Sequence, residues 1–296
     1  MPITRFRPKP KPIAMPQPTM RPPPHPSLRP PPRPPLPPIQ QGLVRAALIG
    51  INYLRTPYEL AGCINDVVDM QNILQRFYPG CKDYRLITDQ TDVKPTRANI
   101  LTMIDWLVKD LKPGQNVYFH FSGHGGRVRD TNGDEVTGLD SCIYPLNGGR
   151  METITDDELR TLLAARIPAG SKAFVVLDCC HSGTAVDLRY LWAAPAATSL
   201  SYAEDKKYAA LPGTVVFLSG CQDVQVAADT ADGNGRPCGA LTMALRETWS
   251  AYGAAIRMKH LLWDVRKYLR DRRYTQIPQL STGSKIDPNQ VLDLGV

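Results

Sequence analysis

Short apolar runs, separated by stretches of helical periodicity, constrain this chain more than any other feature. Arg45–Asn52, Tyr84–Thr88, Asn116–Ser122, Lys172–Leu177 and Thr214–Ser219 are rich in Val, Ile, Leu and Phe. Runs this short and this apolar read as strands buried on both faces. Between them, Asn65–Phe77 places Val67, Met70, Ile73, Leu74 and Phe77 on one helical face. Pro95–Leu111 does the same with Ile100, Ile104, Leu107 and Leu111, behind Thr96 as a cap. Thr155-Asp156-Asp157-Glu158 reads as a capping box that opens a third helix. Further helices are expected at about 239–252 and 256–272, and Gln279–Thr282 reads as a last short strand. Strands alternating with helices predict an α/β fold, with a mostly parallel central sheet of about six or more strands and helices on both faces. Residues 125–141 and 184–212 read as irregular connections.

Composition sets the boundary of the folded part. Residues 1–42 hold 17 of the 28 prolines and seven Lys or Arg, with no Asp or Glu. Those seven charges equal the whole formal net charge of +7, so the remainder is balanced at 28 basic and 28 acidic residues. Proline at this density removes backbone donors and builds no core, so residues 1–42 are expected to be disordered with polyproline II character. The basic charge belongs to this tail, which argues against nucleic-acid binding by the folded part. Residues 21–38 carry the arginine and proline spacing of a ligand for a proline-binding domain, although a solvated spacer is the favoured reading. No apolar run follows the basic start as a secretory signal would require, and none approaches a membrane span. The seven cysteines, Cys63, Cys81, Cys142, Cys179, Cys180, Cys221 and Cys238, are odd in number and lack a C-x-x-C pair. That fits a reducing, cytoplasmic setting and gives no zinc site.

Two glycine-flanked segments carry the chemistry. Phe121-Ser122-Gly123-His124-Gly125-Gly126 and Asp178-Cys179-Cys180-His181-Ser182-Gly183 each follow an apolar run. A parallel sheet presents reactive side chains at its carboxyl edge in this way. A thiol beside an imidazole becomes a thiolate, the stronger nucleophile. Either residue alone is more often structural; their joint placement favours a cysteine-type catalytic dyad. His120 and His181 are rivals for the base, read here as a strand residue and a turn residue.

Five motifs in order, Ala46–Tyr53, Gly62–Val67, Phe121–Gly125, Asp178–Gly183 and Phe217–Asp223, closely resemble those of the metacaspases, which are caspase-like cysteine peptidases. The resemblance covers about residues 43–285 and is similar to the type I arrangement. It implies a caspase-like peptidase domain over 43–296, with a large-subunit-like part to about 187, a connection at about 188–212 and a small-subunit-like part from about 213. It implies Cys180 as nucleophile, His124 as base and then acid, and the N–H groups of Gly125 and Cys180 as oxyanion hole. Cys63, Asp66, Ser122 and Asp178 would line the substrate pocket. Two carboxylates in such a pocket are costly unless a cation joins them, so cleavage after Arg or Lys is implied. By itself, each aspartate reads as an ordinary helix-start or strand-end residue.

The same resemblance implies a Ca²⁺ activator, outside the chemical step, on Asp140, Asp156, Asp157 and Asp187. Oxygen-only ligands suit that hard cation. Asp156 and Asp157 otherwise read as favourable helix N-terminal charges. The rival segment Asp130–Glu135 fails the EF-hand pattern, because Glu135 and Ser141 stand where glycine and glutamate are needed. Arg189, Lys206 and Lys207 lie in the connection as possible self-cleavage points. The chain is therefore expected to be a monomeric, calcium-activated cysteine endopeptidase acting on peptides and proteins. The alternative is a non-catalytic or weakly catalytic adaptor for aggregate handling, recruited through its tail.

Overall fold

The protein is described from a computed structural model over residues 42–133, 135, 137–179, 186–197, 199–220 and 229–295. The proline-rich segment, but for Gly42, lies outside the described residues, and so do Cys180 and His181.

The apolar runs form the strands that their composition calls for. The central sheet contains β1 (Leu43–Gly50), β2 (Asp83–Thr88), β3 (Asn116–Ser122), β4 (Lys172–Asp178), β5 (Tyr190–Ala196), β6 (Ser199–Glu204), β7 (Thr214–Ser219) and β8 (Gln279–Thr282). Their order is β6-β5-β8-β7-β4-β3-β1-β2. From β2 through β7 every pairing is parallel, while β8, β5 and β6 add antiparallel strands at the far edge.

Successive side chains along these strands enter two different cores, as a period of two requires. Tyr118, Phe174 and Val176 pack with α1 (Cys63–Phe77), α4 (Ala240–Tyr252) and α5 (Met258–Asp271). Val117, Phe119, Phe121, Val175 and Leu177 pack with α2 (Arg97–Val108) and α3 (Asp156–Leu162). Trp249 of α4 meets Tyr118 and Phe174 with ring centroids 6.1 and 5.8 Å away, in edge and tilted geometry. Such aromatic contacts add to the burial itself. No helix among the described residues is long and apolar enough to cross a membrane.

Two segments read as irregular contain strands. The connection at 184–212 holds the antiparallel pair β5 and β6. Only Trp192 is buried along β5, where its indole N–H donates to Thr282 Oγ1 of β8 at 2.9 Å. Edge strand β6 is mostly exposed, so neither strand carries an apolar signature. Likewise Gly125–Arg129 pairs with Leu139–Ile143, which pairs in turn with Ile154–Thr155 to make a small separate sheet.

One close approach fixes α1 on the sheet. A Cβ on Gly50, at the end of β1, would lie 2.4 Å from the Cys63 carbonyl oxygen and 2.6 Å from Val67 Cγ2. The helix therefore rests on bare backbone. Its N-terminus is capped from a distance, since Asn52 Oδ1 accepts the Ile64 N–H at 3.1 Å. Gly50→Ala is expected to destabilise the fold by about 1–3 kcal/mol through overpacking. Urea denaturation checks this, and an unchanged midpoint would contradict the contact.

Candidate active site

β3 and β4 are neighbours, and Ser122 stands in register with Asp178 at their carboxyl ends. His124 lies two residues beyond β3, and Cys179 directly follows β4. Cys179 is buried in the core on the α2 side. Gly125 opens the strand Gly125–Arg129 opposite Ile143. The amide of Cys180, expected to complete an oxyanion hole, lies outside the described residues.

The loop after β1 holds the His124 imidazole. Its Nε2–H donates to the Tyr58 carbonyl oxygen at 2.8 Å. A carbonyl only accepts, so Nε2 carries the proton and Nδ1 is the basic nitrogen. The His124 backbone N–H donates to Tyr53 Oη at 2.9 Å, and that hydroxyl donates to the Tyr144 carbonyl at 2.7 Å. The Tyr53 ring lies 4.6 Å from the imidazole, centroid to centroid. Thr56 shapes the loop by donating to the Tyr53 carbonyl at 2.7 Å while accepting the Tyr58 N–H at 3.1 Å. Sequence reading missed the Tyr58 carbonyl, because a backbone acceptor leaves no mark on residue type.

The two expected pocket carboxylates meet at the N-terminus of α4. Asp66, in the first turn of α1, is 1% exposed, and Asp178 is 5% exposed. Ser122 Oγ donates to Asp66 Oδ2 at 2.6 Å, and the Gly239 N–H reaches both Asp66 oxygens at 2.8 and 3.0 Å. Asp178 Oδ2 accepts the Thr242 N–H and the Thr242 hydroxyl, each at 2.8 Å. The first amides of a helix and its dipole compensate negative charge in this position. A Cβ on Gly239 would lie 2.2 Å from Asp178 Oδ2 and 2.8 Å from Asp66 Oδ2, so both carboxylates converge on the same bare backbone. Cys63 lies one helical turn before Asp66 and is buried beside it. The neighbouring Cys238 thiol is pushed up to about 12, first by burial and then by the Asp66 charge.

A second acidic cluster lies on the small sheet and α3. Carboxylate oxygens of Asp140, Asp156 and Asp157 lie within 4.8 Å of one another, as do those of Glu135, Asp156 and Asp187. Asp156 therefore joins both groups. Burial first, then the Asp187 charge, pushes its carboxyl up to about 8, although the Ser141 and Asp157 amides donate to it at 2.7 and 3.0 Å. Tyr208 Oη lies 2.7 Å from Asp187 Oδ1 and 3.0 Å from Glu135 Oε1, so both carboxylates share its hydroxyl. Asp187 adopts a left-handed φ of 47°, and its carbonyl accepts from Arg160 Nη1. The donor set is oxygen-only and fits a hard cation. Glu135 was missed as a member, because its segment drew attention only as a failed EF-hand. Asp130 turns that loop instead, accepting the amides of Asn132, Gly133 and Glu135 at 2.8, 2.7 and 3.0 Å.

The expected self-cleavage residues differ in setting. Arg189 is half-buried and pairs with Glu204 at 2.7 Å across the base of the β5–β6 hairpin. Lys206 and Lys207 lie in an exposed turn after β6.

Residues 44–189 match the family described as "Metacaspase, peptidase C14 domain". Metacaspase-1 of Schizosaccharomyces pombe is 35% identical, over 86% of this chain and 70% of the relative. Metacaspase-1B of Aspergillus fumigatus is 37% identical, over 84% and 71%. The chain belongs to the metacaspases. It is a cysteine-type peptidase of the caspase-like class, and its substrates are peptides and proteins. The crystal structure of a Geobacter sulfurreducens protein superposes with a TM-score of 0.59 at 24% identity, covering 85% of this metacaspase and 98% of that chain, which supports the same caspase-like fold.

The acidic cluster gives a pH dependence of known sign. The folded carboxyl of Asp156 binds its proton more tightly than the unfolded one does. Its stabilising contribution is therefore present below the ordinary aspartate range and is lost as pH rises towards about 8. In chelator-treated protein, the wild-type urea midpoint should fall relative to that of Asp156→Asn between about pH 5 and pH 8. A difference that stays constant across this range would contradict the cost of ionising Asp156.

Proposed function

We propose that this chain is a calcium-activated endopeptidase that cleaves after Arg or Lys through a Cys180–His124 dyad. The observation that carries the reading is the convergence of two buried carboxylates, Asp66 and Asp178, on Gly239 at the sheet edge that also bears His124. A guanidinium or ammonium group on the substrate would bring a positive charge to these acids, and the planar fork of Arg can pair with both.

In this reading His124 Nδ1 takes the thiol proton of Cys180. The thiolate attacks the scissile carbonyl carbon, and the Gly125 and Cys180 amides receive the developing oxyanion. His124 then returns the proton to the departing amine, and water hydrolyses the thioester with the same imidazole as base. The Tyr58 carbonyl fixes the ring tautomer that this sequence of transfers needs.

Asp140, Asp156, Asp157 and Asp187, joined by Glu135, would hold the calcium ion, which when bound neutralises their mutual repulsion. Tyr208 connects this cluster to the turn that carries Lys206 and Lys207, and this supports self-cleavage there rather than at Arg189. The proline-rich residues 21–38 serve in this proposal as a ligand for a proline-binding partner.

Hydrolysis of a fluorogenic Arg peptide, with and without Ca²⁺, tests the reading. Cys180→Ala should lose activity by about a thousandfold or more. Equal activity in wild type and variant would sink the dyad, and calcium-independent activity would sink the metal assignment alone. Mass spectrometry after calcium addition should show cleavage after Lys206 or Lys207; an intact chain would overturn self-processing.

A further inference from the structure

His120 takes no part in the chemistry above, yet it lies in a complete buried chain of hydrogen bonds. It is fully buried in β3, on the same face as Tyr118 and Ser122. Its Nδ1 lies 2.9 Å from Tyr118 Oη and its Nε2 lies 3.2 Å from Thr242 Oγ1. Thr242 Oγ1 is in turn 2.8 Å from Asp178 Oδ2.

The direction of the chain follows from counting protons. An ionised carboxylate only accepts, so the single hydroxyl proton of Thr242 goes to Asp178. Thr242 Oγ1 must then accept, and the proton between it and His120 belongs to Nε2. Nδ1 is left as acceptor for the Tyr118 hydroxyl. Each donor meets one acceptor from Tyr118 to Asp178. Burial lowers the imidazole to about 3, so it stays neutral and the chain keeps this direction at working pH. A buried polar group with every partner satisfied is rigid, because any rotation leaves an unpaired donor in low dielectric.

We propose that His120 is a specificity-positioning residue, acting through Thr242 to hold the Asp178 carboxylate in the orientation that receives the cationic side chain of the substrate. The proposal rests on the reading of Asp66 and Asp178 as an Arg or Lys pocket. Thr242 already fixes Asp178 with its backbone amide. The hydroxyl adds a second bond to the same oxygen, and His120 sets which way that hydroxyl points. Without His120, Thr242 Oγ1 loses the donor that directs its proton to Asp178, so the carboxylate keeps the Thr242 amide but loses the second bond that orients it.

The test uses the full chain and fluorogenic peptides that end in Arg, Lys or the uncharged isostere citrulline. His120→Leu and Thr242→Val remove the relay, Thr242→Ser keeps it, and Tyr118→Phe breaks only its outer end. Alkylation of the nucleophile by iodoacetamide reports on the dyad without using the pocket. For His120→Leu and Thr242→Val, the KM for Arg and Lys peptides should rise by roughly 5- to 20-fold, while kcat and the alkylation rate stay within about twofold. Thr242→Ser should restore wild-type KM, and Tyr118→Phe should give a smaller rise in the same direction. Unchanged KM in folded Thr242→Val, or a rise in KM accompanied by a fall in both kcat and the alkylation rate, would overturn the relay while leaving the Arg and Lys preference standing. If His120→Leu fails to fold, Thr242→Val and Tyr118→Phe carry the same decision. A wild type that cleaves the citrulline peptide as well as the Arg peptide would overturn the pocket reading itself, and the relay with it.

Discussion

Two carboxylates buried at the N-terminus of one helix are the constraint on which the rest of the site depends. Removing a carboxylate from water costs several kcal/mol even after relaxation. Asp66 and Asp178 offset part of that cost with the Gly239 and Thr242 amides and the Ser122 and Thr242 hydroxyls. These donors come from β3 and α4, and the acids from α1 and β4, so four elements must keep their places together. The bare backbone at Gly50 seats α1 on the sheet, and the bare backbone at Gly239 lets α4 reach both acids. The parallel pairing of β3 with β4 then brings Ser122 beside Asp178. Little of this can move without leaving a buried charge short of a donor.

The second acidic cluster gathers like charges around a single carboxylate, Asp156. Its carboxylates lie close to one another, and burial together with the Asp187 charge makes Asp156 resist ionisation although the Ser141 and Asp157 amides donate to it. Asp66 and Asp178 are each held by an amide at the start of α4, whereas Asp156 belongs to both groups of close carboxylates.

The parallel strands and all five helices were legible because their residues face a core on one or both sides, and burial imposes a period. Strands β5 and β6 were not legible. Trp192 is the single buried residue along β5, and the alternation is lost among Ala, Pro and Ser. The site residues divide in the same way. His124, Asp66 and Asp178 sit within contiguous motifs that local sequence can carry. The Tyr58 carbonyl, Gly239, Thr242 and Glu135 matter through contacts across long stretches of chain, or through backbone atoms that carry no residue signature. His120 lies in β3, where its apolar run places it, yet nothing in the sequence indicates that Thr242 lies against it.

The segment that left the weakest trace in the sequence is also the one that joins the outer edge of the sheet to the acidic cluster. Trp192 anchors β5 to β8, and the Arg189–Glu204 pair closes the base of the hairpin. Beyond β6, Tyr208 returns to Asp187 and Glu135, and Arg160 of α3 stacks on its ring while reaching the Asp187 and Ala209 carbonyls. The exposed turn with Lys206 and Lys207 is thus suspended between a fixed end and a titratable one. Lys207 of that turn also lies 3.6 Å from Glu135, so side chains of α3, the acidic cluster and the turn meet in one place although β5 and β6 bring no core of their own.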